Sequence, residues 1–342
     1  MTKIGFVGVG YWGPNLLRNF ANASDSVEVS VICDTDKAKL GAISKSYPAA
    51  RITTDFDELA LDGSVDAVVL ALPAPFHYKF AKKALAAGKD VFVEKPLAMT
   101  ASECEDIIKT AEKAKRIIFV GHTFLYNPAV NEIKRYIENG KLGDVYYLYS
   151  QRLNLGKVRE DVDVMWNLAP HDVSIMLHLV RAQPKSVSAR GFYYLRKNIA
   201  DVAFLTLEFA NGVSAHIHVS WLDPNKIRKV TIVGSKKMVV YDDMAEDARI
   251  VIYDKGIDKK HINTDMGRYD NYEKFLFIHR SGDILIPKVA FDEPLKLEVK
   301  SFIECVQKRT RPVTDGIHGL ETVRILEAAT KSLKQESKVV KL

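Results

Sequence analysis

The chain has 342 residues, too many for one ordinary core and enough for two domains. Apolar residues make up 47% and charged residues 27%, the balance of a globular protein that buries its cores without metals or disulfides. Lys and Arg exceed Asp and Glu by 49 to 43, and this mild, scattered excess argues against a nucleic-acid partner while suiting an anionic small molecule.

The opening Met1–Gly8 reads as a strand entering a turn rather than a secretory leader. Strand-like runs fall at Ile4–Val9 (this opening strand), Val27–Cys33, Ala67–Leu72, Asp90–Val93 and Ile117–Val120. Helical patterns fill the gaps, among them Phe76–Ala87 and Ala101–Ala114, the latter opened by a Thr100/Glu103 capping box. Such alternation predicts a parallel, doubly wound sheet with right-handed crossovers. Cys33, Cys104 and Cys305 are far apart and odd in number, so neither a disulfide framework nor a metal site is expected, and a reducing, cytoplasmic setting is. No apolar run nears the ~20 residues of a membrane span, so no membrane partner is expected.

Gly8-Val9-Gly10-Tyr11-Trp12-Gly13 follows the first strand directly and opens a helix. Gly8 permits the tight turn, Gly10 lets backbone approach a pyrophosphate, and Gly13 packs helix on strand. The helix N-terminus, with Pro14 in its first turn, then offers free amides to the phosphates. Asp34 ends the second strand, 21 residues beyond Gly13, where a carboxylate accepts ribose hydroxyls and repels a 2′-phosphate. NAD is therefore favoured, with NADP left open by nearby Lys37.

The period changes after about Gly121. A helix is predicted over Pro128–Glu138, then longer alternating strands with few helices. The clearest is a hairpin, Val202–Phe209 and Val213–Trp221 about Asn211-Gly212. Its odd positions Val213 to Trp221 share a buried face, and Ser214, His216, His218 and Ser220 an open one. Two helices close the chain, about Leu295–Gln307 and Gly319–Gln335. The predicted fold is α/β: a doubly wound domain over 1–121, then an α+β domain over 122–342 with a large, mostly antiparallel open sheet. The last helices are placed to pack back on the first domain.

Ala71-Leu72-Pro73-Ala74-Pro75-Phe76-His77 and Gly88-Lys89-Asp90-Val91-Phe92-Val93-Glu94-Lys95-Pro96-Leu97-Ala98 resemble the glucose–fructose oxidoreductase / inositol dehydrogenase / MocA-like family. The resemblance spans nearly the whole chain, including the closing pattern through Phe302, Pro312, Gly316, Gly319 and Ala328. It implies a Rossmann domain carrying NAD, with Tyr11, Trp12, Leu72, Pro73, His77, Glu94 and Lys95 beside the cofactor. Lys95 matches the family lysine that reaches nicotinamide and substrate; desolvation there lowers its proton affinity and suits it to proton exchange. Glu94 is placed to orient it, and a cis Lys95–Pro96 bond is open to the chain although cis is a minority state even before proline.

The second family motif is an aspartate and, four residues on, a histidine. Here Asn167 replaces the aspartate and His171 matches the histidine, which makes His171 the acid–base group and Asn167 only a hydrogen-bonding one. Pro170 suggests that their helix begins about there. The chemistry implied is removal of a hydroxyl proton as carbon yields hydride to nicotinamide.

Between the domains, Tyr126 and Asn127 fall in a segment that borders nicotinamide in the family. Arg152, Asn154, Lys157 and Arg159 concentrate polar groups shortly before His171, suited to a diphosphate-linked sugar. This region most resembles the sugar-nucleotide branch, in particular UDP-N-acetylglucosamine 3-dehydrogenases. A free sugar, cyclitol or other nucleotide sugar is the alternative substrate, and a non-catalytic dinucleotide-binding regulator a remoter one. The family also implies a homodimer or homotetramer. A zinc site on His216 and His218 lacks a third ligand, and no metal is expected.

Overall fold

The computed structural model describes residues 1–156, 158–261, 275–290 and 292–342. Strands β1 (Thr2–Val7), β2 (Val27–Cys33), β3 (Arg51–Thr53), β4 (Ala67–Leu70), β5 (Asp90–Glu94) and β6 (Ile118–Gly121) form one parallel sheet, ordered β3-β2-β1-β4-β5-β6. Helices α1 (Gly13–Asn22), α2 (Lys37–Ser46), α3 (Phe56–Ala60), α4 (His77–Ala86) and α5 (Ala101–Ala114) make the crossovers. Every residue of β4 and β5 is buried, as a sheet covered on both faces requires. The strand order reverses at β1, so a crevice opens beyond the carboxyl ends of β1 and β4.

β3 and α3 lie outside the predicted elements. β3 is three residues long with Arg51 and Ile52 exposed, too short and too wet to carry an apolar pattern. The capping box at α5 forms with a one-residue offset: Glu103 N–H donates to Thr100 Oγ1, while the Glu103 carboxylate accepts from Met99 N–H.

Beyond Gly121, a 3₁₀ turn at Thr123–Tyr126 leads into α6 (Pro128–Glu138). There follow β7 (Val145–Leu153), α7 (Val164–Val180), β8 (Pro184–Phe192), β9 (Val202–Phe209), β10 (Ser214–Ser220), β11 (Ile227–Gly234), β12 (Met238–Asp242), β13 (Ile250–His261) and β14 (Phe275–Leu285). Helices α8 (Pro294–Lys308) and α9 (Gly316–Lys334) precede a short β15 (Val340–Lys341). The nine strands are ordered β14-β13-β12-β11-β7-β10-β9-β8-β15, antiparallel except that β7 and β10 run parallel.

The hairpin forms as predicted, with Val213, Ala215, Ile217, Val219 and Trp221 buried. Ser220 departs from its predicted open face: it is buried, and its Oγ accepts the Leu222 N–H. On the outer face His216 meets the Thr206 hydroxyl and His218 stacks on Phe204, so both histidines are engaged locally. Among the described residues no three His, Cys, Asp or Glu side chains converge on a metal-sized site.

The last helices return to the first sheet. Phe302 of α8 packs edge-on against Phe20, Phe92 and Phe119, with centroids 5.4–5.9 Å apart. No helix among the described residues is long and apolar enough to cross a membrane.

Candidate active site

The first wall of the crevice is the glycine turn. Gly8 has φ +94°, a conformation that other residues rarely adopt, and accepts no side chain without strain. A Cβ on Gly13 would lie 2.0 Å from the Gly8 carbonyl oxygen, so helix and turn touch through backbone alone. Gly10 faces open space. The first turn of α1 has no side-chain cap, which leaves its amides for an anion. Asp34 accepts N–H groups from Val9 (2.8 Å) and Asp36 (2.9 Å), which fixes its carboxylate against the turn. These residues fit a dinucleotide. Gly13→Ala is expected to weaken NADH binding at least tenfold while the chain still folds, as fluorescence titration would read.

The second wall follows β5. Glu94 is buried, accepts the Trp12 indole N–H at 2.7 Å and the Lys95 backbone N–H at 3.3 Å, and burial raises its pKa to about 7. Burial likewise lowers Lys95 to about 8, opposed by Glu94 and assisted by Arg152 and Arg159. The Lys95–Pro96 bond is cis. Lys95 Nζ donates to the Asn167 carbonyl at 2.9 Å, which ties the first sheet's ligand edge to α7.

α7 supplies the third wall. Asp163, not Pro170, starts it: its carboxylate accepts the Trp166 N–H, and the helix runs through Pro170 at the loss of one backbone bond. Asn167 and His171 therefore share a helix face. Asn167 Oδ1 accepts the Trp221 indole N–H, which leaves its amide N–H groups as donors. His171 packs edge-on against Phe124, and its Nδ1 is buried without a protein partner. Burial, then the charges of Lys95, Arg152, His122 and Arg228, hold it well below the ordinary histidine value, so it stands neutral.

Tyr11, Trp12, Leu72, Pro73, Glu94, Lys95, Asn127, Arg152, Asn154, Asn167 and His171 all line one cavity of about 810 Å³. Two sequence expectations are corrected. His77 is wholly buried, its ring nitrogens held by the Pro96 and Leu72 carbonyls, so it braces the cofactor wall from behind. Tyr126 points away from the cavity, stacked on Phe119 and bonded to the Thr314 hydroxyl. Phe124 of the same turn faces the site instead, beneath Arg152 (4.5 Å) and beside His171.

Arg152 is also reassigned: its guanidinium is buried in an ion pair with Asp172, Nε to Oδ2 2.6 Å, rather than presented to a phosphate. Asn127 caps α6 through Oδ1 and donates to the Tyr241 hydroxyl, so most of its capacity is spent. Arg159 is held by Asp161 at the cavity rim. Asn154 Oδ1 is buried without a partner. Lys157 lies outside the described residues. Asp172 and Phe124 carry no motif signal of their own and emerge only from packing.

Residues 2–122 match the model of the oxidoreductase family with NAD-binding Rossmann fold, and residues 130–240 match that family's C-terminal domain. The chain belongs to the Gfo/Idh/MocA family. Inositol 2-dehydrogenase 2 of Saccharopolyspora erythraea is 29% identical over 223 residues, 64% of this chain and 66% of the relative, just under two thirds of its length. Solved structures share the fold, two of them as follows. UDP-N-acetylglucosamine 3-dehydrogenase GnnA from Acidithiobacillus ferrooxidans aligns with TM-score 0.80 at 21% identity, covering 98% of this chain and 99% of that one. The WlbA dehydrogenase from Bordetella pertussis, in complex with NADH and UDP-GlcNAcA, aligns at 0.79 and 24% identity, covering 100% and 98%. Residues 2–122 are thus the NAD-binding Rossmann domain of a Gfo/Idh/MocA protein.

Proposed function

We propose that this protein oxidises a ring hydroxyl of a nucleotide-linked sugar, at C3 of UDP-N-acetylglucosamine or a close relative, with NAD as acceptor. The observation that carries the reading is one cavity lined by the end of the NAD turn, by Lys95 and by neutral His171, with Lys95 anchored to α7. NAD, when bound, supplies the hydride acceptor. His171 takes the hydroxyl proton as the carbonyl forms, since its low proton affinity keeps it unprotonated and able to accept. The Lys95 ammonium steadies the developing alkoxide. Asn167 donates an amide N–H to a neighbouring hydroxyl, and Phe124 closes the floor against water. The structural likeness to GnnA and WlbA supports the sugar nucleotide; the sequence likeness to inositol 2-dehydrogenase favours a cyclitol as the second reading.

Purified protein mixed with NAD, a ketone trap and either UDP-N-acetylglucosamine, UDP-glucose, glucose or myo-inositol tests this directly. NADH formed with UDP-N-acetylglucosamine is the expected result; NADH formed with myo-inositol alone would replace the substrate and keep the chemistry. The pH profile separates the two roles. Lys95 is cationic below about 8, so kcat/KM should fall as pH rises through that value. His171, well below 6.5, contributes no acid limb near neutrality. A rate that rises through pH 8 would make the neutral amine of Lys95 the base instead.

A further inference from the structure

Asn167 stands where the family motif has an aspartate, and its surroundings define what that change does. It lines the cavity with both of its oxygens engaged: the side-chain Oδ1 accepts the Trp221 indole N–H at 3.2 Å, and the backbone carbonyl accepts Lys95 Nζ at 2.9 Å. An indole nitrogen only donates, so it fixes which end of the carboxamide points away from the cavity. Trp221 is 1% exposed and packed in the second core, which holds the indole in place. Asn167 therefore meets a substrate with two N–H donors and no acceptor. An aspartate would reverse that: one carboxylate oxygen would take the indole, and the other would still accept from the substrate.

The complementary need comes from the sheet. Asn154 follows β7, and its backbone N–H donates to the Ser220 carbonyl while that of Gly156 donates to the Trp221 carbonyl. Asn154 is thus anchored beside the tryptophan that orients Asn167. Its side chain lies over Gly156, where a Cβ would come within 2.8 Å of Oδ1. That Oδ1 is buried without a protein partner, and Asn154 lines the same cavity. Unanswered donors come from the helix, then, and an unanswered acceptor from the sheet. A ring hydroxyl beside Asn167 has a proton of its own to place, and the groups bonded to Asn167, the Lys95 amine and the Trp221 indole, are donors as well. A secondary amide answers both needs. Its carbonyl oxygen accepts and brings no proton, and its N–H donates from the other side of a planar trans bond.

We propose that the site selects a sugar with an acylamino group on the carbon next to the reacting hydroxyl, Asn167 donating to the acyl carbonyl and Asn154 accepting the amide N–H. Trp221 is the positioning residue that makes Asn167 a donor. The second Asn167 N–H serves the neighbouring hydroxyl. The inference rests on the nucleotide-sugar reading and names the substituent that the protein reads and the residues that read it.

The test is the ratio of kcat/KM on UDP-N-acetylglucosamine to that on UDP-glucose, two substrates that differ only in the group on C2. A ratio taken within one variant cancels any change at His171 or Lys95 that slows both substrates alike. Asn167→Ala removes the donors and is expected to lower the ratio about tenfold, the span of a hydrogen bond lost from a buried group. Asn154→Ala should lower it by about as much. Asn167→Asp sets a carboxylate against the carbonyl but offers an acceptor to a hydroxyl, so the ratio should fall about a hundredfold, most of it on the acetylated substrate. NADH affinity should hold in these variants, and the melting temperature checks that they fold. Trp221→Phe frees the carboxamide to turn over and should lower the ratio about as far as Asn167→Ala. Equal losses on both substrates would make Trp221 a packing residue and end its positioning role. A wild-type ratio near one, or a ratio that neither Asn167 variant moves, would overturn the acylamino assignment and leave the nucleotide sugar standing. Turnover of myo-inositol with neither nucleotide sugar would overturn the nucleotide-sugar reading, and this inference with it.

Discussion

Lys95→Ala is expected to lower kcat by about 10²–10⁴-fold, the span of one positioned proton-handling group, while NADH affinity changes less than about threefold. The lysine reaches the cavity from the carboxyl end of β5, yet no glycine-turn amide depends on it for position. One of its three Nζ donors goes to the Asn167 carbonyl, on the substrate side. Burial disfavours its charged form, so removing it lifts a desolvation cost, and the melting temperature should hold or rise. A catalytic lysine and a structural one therefore part company: the first predicts dead and stable protein, the second unstable protein. Lys95→Met, which keeps the aliphatic stem, should be as inactive as alanine. A loss of NADH affinity matching the loss of rate would instead make Lys95 a holder of the cofactor.

The sequence made the first sheet and its turn readable because each feature is local. Gly8 to Gly13, Asp34 and the Glu94-Lys95-Pro96 run sit at strand ends, where spacing alone says what they face. The 122–127 segment shows the limit. It does border the cavity, but as a 3₁₀ turn it delivers Phe124 inward and sends Tyr126 back to Phe119. A turn's handedness decides that, and composition does not encode it. Pro170 misled for a related reason: proline is a strong breaker on average, yet Asp163 caps the helix seven residues earlier and packing on the sheet outweighs one lost bond. Arg228 was invisible because strand register, not sequence distance, sets it opposite Arg152. The same holds for Arg152. Its neighbours in sequence suggested a phosphate contact, but the partner that claims it comes from the helix packed above.

That partner sets the second large effect. Asp172→Ala is expected to destabilise the fold by about 3–5 kcal/mol, the usual result of stripping one member from a buried ion pair. The side chains are 7% and 1% exposed, so water cannot replace the carboxylate, and Arg152 would be left charged over the Phe124 ring. The denaturant midpoint should fall with the slope unchanged. The loss has a functional half too. Arg152 already helps depress both His171 and Lys95, and Asp172 is what offsets that charge. Without it the uncompensated guanidinium should drive Lys95 further down, moving the alkaline fall in kcat/KM below about 8 in whatever protein remains folded. The double variant Arg152→Met/Asp172→Leu separates the two halves. It removes both charges at once, so stability should largely return, as it does when apolar groups of similar volume replace a buried pair. The alkaline limb should then move up, not down, because one of the cations pressing on Lys95 is gone. Stability lost in the single variant and restored in the double, with the limb shifting in opposite directions, would show that this pair tunes the site through charge; a limb that stays put in both would confine it to holding the sheet against α7.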